Sequence, residues 1–458
     1  MPESEPPHAR RGPYYPPGLW RWAFMLSLLV ALPPLAMPAY SAQPASPGEP
    51  AEFSRDVLPG GLVVLVEERP GTGLVALDVA VLAGARYETA DTAGAAAFLE
   101  ELLKEGTPTR PTRRDVFRSI TARGGDLTIA SGWEPVRLAA EVASEDFDIA
   151  LDVLADVLLH SRFAPERMEA ARERLLANIA EREDMPAQYL GDVAIATALG
   201  DPALRHLPSG SREGVRALSH EQLLRYRDAH FVTGNVIVAV AGDVRRAEVV
   251  PKIAAALADL PPGPRQAPGP LPPAPAATRI ERPAGSEQAN IAVVARGPGV
   301  QAADRAALVV LSGILGGGGQ RLYTEIRDRR GLAYAVGASL LQMADVSVLL
   351  ASAGTEPPNA DEVARLLQAE LQKLRDAPPS EEEVARAISY FVDGQIVDLE
   401  TVRARANDLV RRETLYGVAP SREQFRAQLQ AVRPADVQAA AQRYLAPERL
   451  LTVVLQPQ

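Results

Sequence analysis

The chain has 458 residues, 47% apolar and 23% charged, with a formal net charge of −10. That length supports two domains with cores of their own, and the acidic balance, with no basic block beyond the N-terminus, argues against nucleic acid as a partner. Cysteine is absent, which excludes disulfides, thiolate metal sites and cysteine nucleophiles, and the five histidines (His8, His160, His206, His220, His230) nowhere fall three to five residues apart, so no single helix carries a histidine pair at metal-binding spacing.

Residues 1–42 read as a cleaved export signal. Arg10, Arg11 and Arg21 precede an apolar run over 23–37 that Pro33-Pro34 interrupts, and small residues follow. The run is short for a bilayer span, so no stable membrane span is expected after signal removal and the location implied is periplasmic or secreted; an uncleaved membrane anchor is the alternative. Residues 43–52 form a proline-rich leader. Within 53–260, valine- and leucine-rich stretches predict strands over 62–67, 74–83, 127–130, 136–142 and 235–241. Helical periodicity covers 112–123, 145–160, 165–183, 186–198 and 220–229. Residues 261–278, mostly proline, alanine and glycine, predict an extended, semi-rigid linker. The remainder, 279–458, repeats the first part. The stretch from Ala217 lies opposite that from Ala431, both run into a terminal apolar strand, and Pro165-Glu166-Arg167-Met168 lies opposite Glu381-Glu382-Glu383-Val384. An offset of this size is a domain length, which predicts a duplicated α/β domain, each half a sheet with packed helices.

One further helix, over 94–107, carries the functional question. Phe98, Leu99, Leu102 and Leu103 supply its apolar side and Gly106 stands where it stops. Ala97, Glu100 and Glu101, at i, i+3 and i+4, share one face. Zinc-binding helices of the H-x-x-E-H type use that spacing, with two histidines holding the metal and the glutamate activating water. Here both histidines are missing.

Residues 87–107, with the Phe-Leu-Glu core and Glu-Gly-Thr ending, resemble the metal-binding helix of the pitrilysin/insulinase family of zinc peptidases, its mitochondrial-processing-peptidase-like branch above all. The similarity extends from about Phe53 to the C-terminus. It implies paired α/β halves, each a mostly antiparallel sheet with packed helices, in a clamshell arrangement around a peptide chamber. The N-terminal peptidase-like domain is then 53–260 and the C-terminal one 279–458. Carried over position by position, the metal site is degenerate: Ala97 stands for the first histidine, Glu100 for the general base, Glu101 for the second histidine, and Asn178 for the downstream glutamate. Three protein ligands are needed for catalytic zinc, so no catalytic residue and no cofactor is expected in this chain. A carboxylate set of Glu100, Glu101 and Glu181 would suit a harder cation; a solvated acidic helix face is the plainer expectation.

A second signature, residues 320–334, resembles the family's C-terminal-half motif, in which an arginine and a tyrosine seven residues apart help hold substrate. These are Arg327 and Tyr334, expected at a helix end before Gly331 and at the start of the next strand. Guanidinium and phenol hydroxyl are donors suited to peptide carbonyls. The Gly316–Gly319 run follows a helix and lacks the Lys-Ser/Thr of a phosphate loop, so a turn with close backbone approach is expected. The resemblance implies a non-catalytic, substrate-binding subunit of an exported heterodimer, with an active zinc-peptidase homologue as partner and extended or unfolded peptides as ligands, zinc residing in the partner. The alternative is a stand-alone peptide-binding or structural subunit with no proteolytic role.

Overall fold

The computed structural model describes residues 52–201, 206–284, 287–317 and 320–457. The expected signal, 1–42, and nearly all of the leader lie outside the described residues. Glu52, assigned from sequence to the leader, belongs instead to the folded body: its carboxylate accepts from Arg412 at 2.9 Å and from the Arg422 amide at 2.8 Å.

Eleven strands among the described residues form two sheets. The first contains β1 (Ser54–Val57), β2 (Val63–Glu68), β3 (Leu74–Val81), β4 (Asp126–Ser131), β5 (Val136–Ala143) and β6 (Val236–Gly242), in the order β1-β2-β6-β3-β5-β4. The second contains β7 (Thr278–Ala284), β8 (Ala289–Pro298), β9 (Ala333–Gln342), β10 (Val346–Thr355) and β11 (Leu451–Pro457), in the order β7-β11-β8-β10-β9. With β1 set aside, the sheets have one topology: β2 runs parallel to β6 as β7 does to β11, and every other pair is antiparallel. The duplication read from the sequence is therefore a duplication of topology. Helices Pro165–Glu183 and Pro186–Ala198 fall on the residues expected for them.

The two faces of each sheet are covered differently. Side chains alternate along a strand, so in β2 Val64 and Val66 enter the core under the first half's own helices while Val63 and Leu65 point to the other side. There they meet Leu409 and Val410 of helix Val402–Tyr416, which comes from the second half. Reciprocally, Leu190, Val193 and Ala194 of helix 186–198 pack on Val294, Val348 and Val453 of the second sheet. Each half thus lends a helix to the other. Ion pairs reinforce the exchange: the fully buried Glu413 takes both nitrogens of Arg55 at 2.8 and 3.0 Å, and Arg405 and Arg422 reach Glu67.

The 261–278 stretch contains no helix or strand before β7 begins. It is tied down along its length, Gly263 accepting from the Gly234 amide, Arg265 donating to Glu413 O and Pro272 O accepting from Arg296.

Candidate functional site

The 94–107 segment forms helix Ala95–Leu103, started at Gly94, whose φ of +91° is one glycine adopts readily. Partly buried Glu88 caps it, its carboxylate accepting from the amides of Gly94 (2.9 Å) and Ala96 (2.8 Å). Burial pushes this carboxyl up to about 8. Phe98, Leu99, Leu102 and Leu103 are fully buried, as the apolar spacing predicts.

The face bearing Ala97, Glu100 and Glu101 is closed. Ala97 is buried beneath the 208–211 loop: a side-chain carbon on Gly210, itself at φ +74°, would stand 3.5 Å from Ala97 Cβ, so an imidazole at position 97 would meet that loop. Glu100 Oε2 lies 2.7 Å from the Ser131 amide and 2.8 Å from its hydroxyl, and Lys104 Nζ donates to Oε1 at 2.7 Å. Glu101 is buried and takes three cations: Lys104 at 3.1 Å, Arg113 at 2.8 Å and Arg174 at 2.9 Å. Burial alone would raise its pKa, but the hydrogen bond from Arg174 and the charges of Lys104 and Arg113 hold it below the ordinary glutamate range. Arg174 bridges on to Glu105 at 2.5 Å. Asn178, one turn beyond Arg174, is exposed, as is Glu181.

This corrects the expectation of a solvated acidic face: only Glu181 is solvated, while Glu101 is a buried anion neutralised by its neighbours. It also answers the zinc question on chemistry. Ala97 offers no donor, the oxygens of Glu101 are engaged by guanidinium and ammonium groups, and Asn178 offers a solvent-facing amide. The residues do not fit a metal that demands three converging ligands. Sequence reasoning missed Arg174, although its place one turn before Asn178 on the same helix face was legible.

The second signature has the opposite character. Tyr323–Asp328 winds as a π-helix, its wide turn visible in the Arg329 amide donating to Thr324 O at 3.0 Å. Gly331 reverses the chain at φ +66°, and β9 begins, placing Tyr334 beside Arg327. The Arg327 guanidinium carbon lies 4.6 Å from the Tyr323 ring centre and 4.4 Å from that of Tyr334, and Nη1 donates to Tyr334 O at 3.4 Å. Arg321 is paired with Glu383, and Arg329 and Arg330 with Glu325; among the described residues no carboxylate pairs with Arg327. It is held by two aromatic faces and one backbone carbonyl. Tyr334 is 71% exposed, so its hydroxyl faces solvent beside a cation without a counter-ion. The two side chains expected at the helix end and the strand start do lie against each other, and Tyr334 stays outside the core.

The glycine run behaves as a close-packed turn. Helix Arg305–Gly316 ends there, and a side-chain carbon on Gly316 would stand 2.0 Å from the Ala338 amide nitrogen of β9. Gly318 and Gly319 lie outside the described residues.

Residues 63–207 match the family model described as insulinase (peptidase family M16), and residues 217–391 match the one described as peptidase M16 inactive domain. The chain belongs to the insulinase family of peptidases. An uncharacterized zinc protease of Mycobacterium tuberculosis is 33% identical over 421 residues, covering 90% of this chain and 95% of its own. The uncharacterized zinc protease YmxG of Bacillus subtilis is 24% identical, covering 86% and 96%. In fold, the chain is similar to a protease from Helicobacter pylori (TM-score 0.81, 21% identity, 88% of this chain and 99% of that one). It is also similar to a peptidase M16 inactive domain from Pseudomonas fluorescens (TM-score 0.78, 20% identity, 89% and 98%). At the three positions that the resemblance gives to metal ligands, this chain has a buried alanine, a salt-bridged glutamate and an exposed asparagine.

Proposed function

We propose that this chain is the non-catalytic, substrate-binding subunit of an exported heterodimeric zinc metallo-endopeptidase, whose partner is an active homologue that supplies zinc, general base and hydrolysis. The observation that carries the reading is the contrast within one chain: the metal-helix face is sealed by Lys104, Arg113 and Arg174, while Arg327 stands without a carboxylate beside an exposed Tyr334. Arg327 and Tyr334 present a fixed guanidinium fork and a phenol hydroxyl to peptide carbonyl oxygens, donors that hold extended substrates with little regard to side chain. The exchanged helices support the need for a partner. Parting the halves would expose Leu409, Val410, Leu190 and Val193, so the chain is built to enclose a peptide with a second chain rather than by opening itself.

The test is purification of the mature protein from its own host. A partner carrying H-x-x-E-H should accompany it, and the pair should cleave unfolded peptides in a chelator-sensitive manner. Arg327→Ala in this chain should lower turnover by roughly tenfold or more, the scale of one lost charged hydrogen bond. Recovery of the chain with no such partner, or turnover indifferent to Arg327→Ala, would refute the reading.

A further inference from the structure

Duplication allows helix 165–183 to be compared with helix Glu381–Asp398 residue by residue. With Pro165 set on Glu381, Met168 and Ala171 fall on Val384 and Ala387, all four buried. The outward positions then diverge. Arg174 falls on Tyr390, Asn178 on Gly394, Ala180 on Ile396 and Glu181 on Val397. Where the first half carries Arg174, engaged by Glu101 and Glu105, and the exposed Asn178 and Glu181, the second carries apolar side chains open to solvent: Tyr390 at 48% and Val397 at 61% share one side of the helix, and Ile396, 65% exposed, lies on the adjoining side. Exposed apolar groups that lie together mark an interaction site more often than singletons do.

The face has a shape. Tyr390, Gly394 and Val397 follow one another at i, i+4 and i+7, so they share one side of the helix. Gly394 has open space above it: a side-chain carbon there would meet nothing within 4 Å. The result is an apolar notch, with Tyr390 and Val397 as walls and Gly394 as floor. Glycine in a helix interior costs about 1 kcal/mol against alanine, so its presence is not explained by helix stability.

The notch is continuous with the second signature. A side-chain carbon on Gly317 would stand 2.9 Å from the Tyr390 ring, and one on the adjacent Gly316 would stand 2.0 Å from the Ala338 nitrogen. Ala338 lies four residues along β9 from Tyr334, about 13 Å at the strand rise. Moreover, β9 is an edge strand, paired with β10 only.

We propose that the Tyr390–Gly394–Val397 notch receives a large apolar side chain of the extended peptide whose backbone is held at Arg327 and Tyr334, about four residues further along. This rests on the reading above and adds to it a side-chain preference. The backbone donors recognise any peptide, and the notch selects those with a leucine- or phenylalanine-sized residue at the right distance.

The experiment uses the mature full-length chain and two labelled peptides of about twelve residues, long enough to span the separation. Both are built from serine, threonine and asparagine, one with a single central leucine, and binding is followed by fluorescence anisotropy. The wild type should bind the leucine peptide roughly tenfold more tightly, the scale of one buried aliphatic side chain. The variant Tyr390→Arg/Ile396→Ala/Val397→Glu, which installs the residues the first half carries, should lose that preference and keep its affinity for the polar peptide. The single Val397→Glu variant, read beside its circular dichroism, should move in the same direction by less. Arg327→Ala should weaken both peptides alike. A leucine preference absent from the wild type, or retained by the triple variant, overturns the notch while leaving the Arg327 result to judge the subunit reading. Retained preference with loss of a co-purifying chain would overturn it too and make the face a subunit contact.

Discussion

Helices 165–183 and 381–398 are copies of one element, and they have gone separate ways. In the first half the outward face meets the 95–103 helix through Arg174, which sits on Glu101 and Glu105 and helps close the face that bears Ala97, Glu100 and Glu101. In the second half the same face is apolar and exposed, in the half that also carries Arg327 without a paired carboxylate among the described residues. A cluster whose buried anions are met by neighbouring cations contributes to stability and has little left to offer a ligand. An open one with an unpaired cation and bare rings carries a standing cost that binding relieves. The difference supports the proposal that peptide is held by the second half.

The largest effect is expected in the closed face. Glu101→Ala leaves Lys104, Arg113 and Arg174 around a buried hole, and breaking such a pair costs about 3 kcal/mol after allowing for the partial exposure of the arginines. The urea midpoint should fall accordingly; a loss below about 0.5 kcal/mol, the range of ordinary surface changes, would show the cluster to be superficial. Installing the ligands that the resemblance implies, by Ala97→His, Glu101→His and Asn178→Glu, should also destabilise the chain, since the imidazole at 97 meets the Gly210 loop and the arginines lose their anion. Metal analysis of that variant should find no stoichiometric zinc. A tightly bound equivalent would mean that the closed face is a shallow modification of a working site.

Much of this division was legible in the sequence, for reasons that differ by element. Helices 165–183 and 186–198 were readable because proline stands at the start of each and periodicity runs to the end. The duplication was readable from its matching terminal strands, β6 and β11. The exchange of helices 186–198 and 402–416 was not, because an apolar stripe says that a helix is buried and not which sheet buries it. The ion-pair cluster was hidden for a similar reason: Lys104 and Arg113 are near Glu101 in the chain, but Arg174 reaches it from 73 residues away. For Arg327 and Tyr334 the motif placed the pair, whereas the lack of a carboxylate beside Arg327 depends on where Glu325 and Glu383 point.

The junction between the halves gives a smaller effect, read through pH. Glu134, fully buried on the first half, accepts from the Ala344 amide of the second at 2.9 Å, beside the Arg86–Asp345 pair. Burial pushes its carboxyl up to about 7 despite the amide bond and nearby Arg86 and Arg265. Because the folded pKa exceeds the unfolded one, its contribution is complete below the ordinary glutamate value and is lost as pH rises through about 7. Stability should therefore fall by about 2 kcal/mol between pH 5 and pH 7 from this group alone. Glu88, also raised, adds a slope of the same sign extending to about 8. Glu134→Gln should remove the first part and leave the second, as denaturant titrations at a series of pH values would reveal. An unchanged slope would mean that the halves meet there through a hydrated contact.

The smallest effect on stability belongs to Tyr334. Tyr334→Phe keeps a ring 4.4 Å from the Arg327 guanidinium and removes only a solvent-facing hydroxyl, so the thermal midpoint should stay within the equivalent of about 0.5 kcal/mol. Tyr334→Ala removes the stack as well, worth about 0.5–1 kcal/mol at an exposed site, and leaves Arg327 against Tyr323 alone. If Arg327 is the principal donor to the peptide backbone, turnover by the assembled pair should drop modestly in Tyr334→Phe and further in Tyr334→Ala as the guanidinium loses its fixed direction. Equal losses in both would assign the effect to the hydroxyl itself. No loss in either, with stability intact, would leave Tyr334 an exposed ring with no part in binding and weaken the contrast between the halves at its most exposed point.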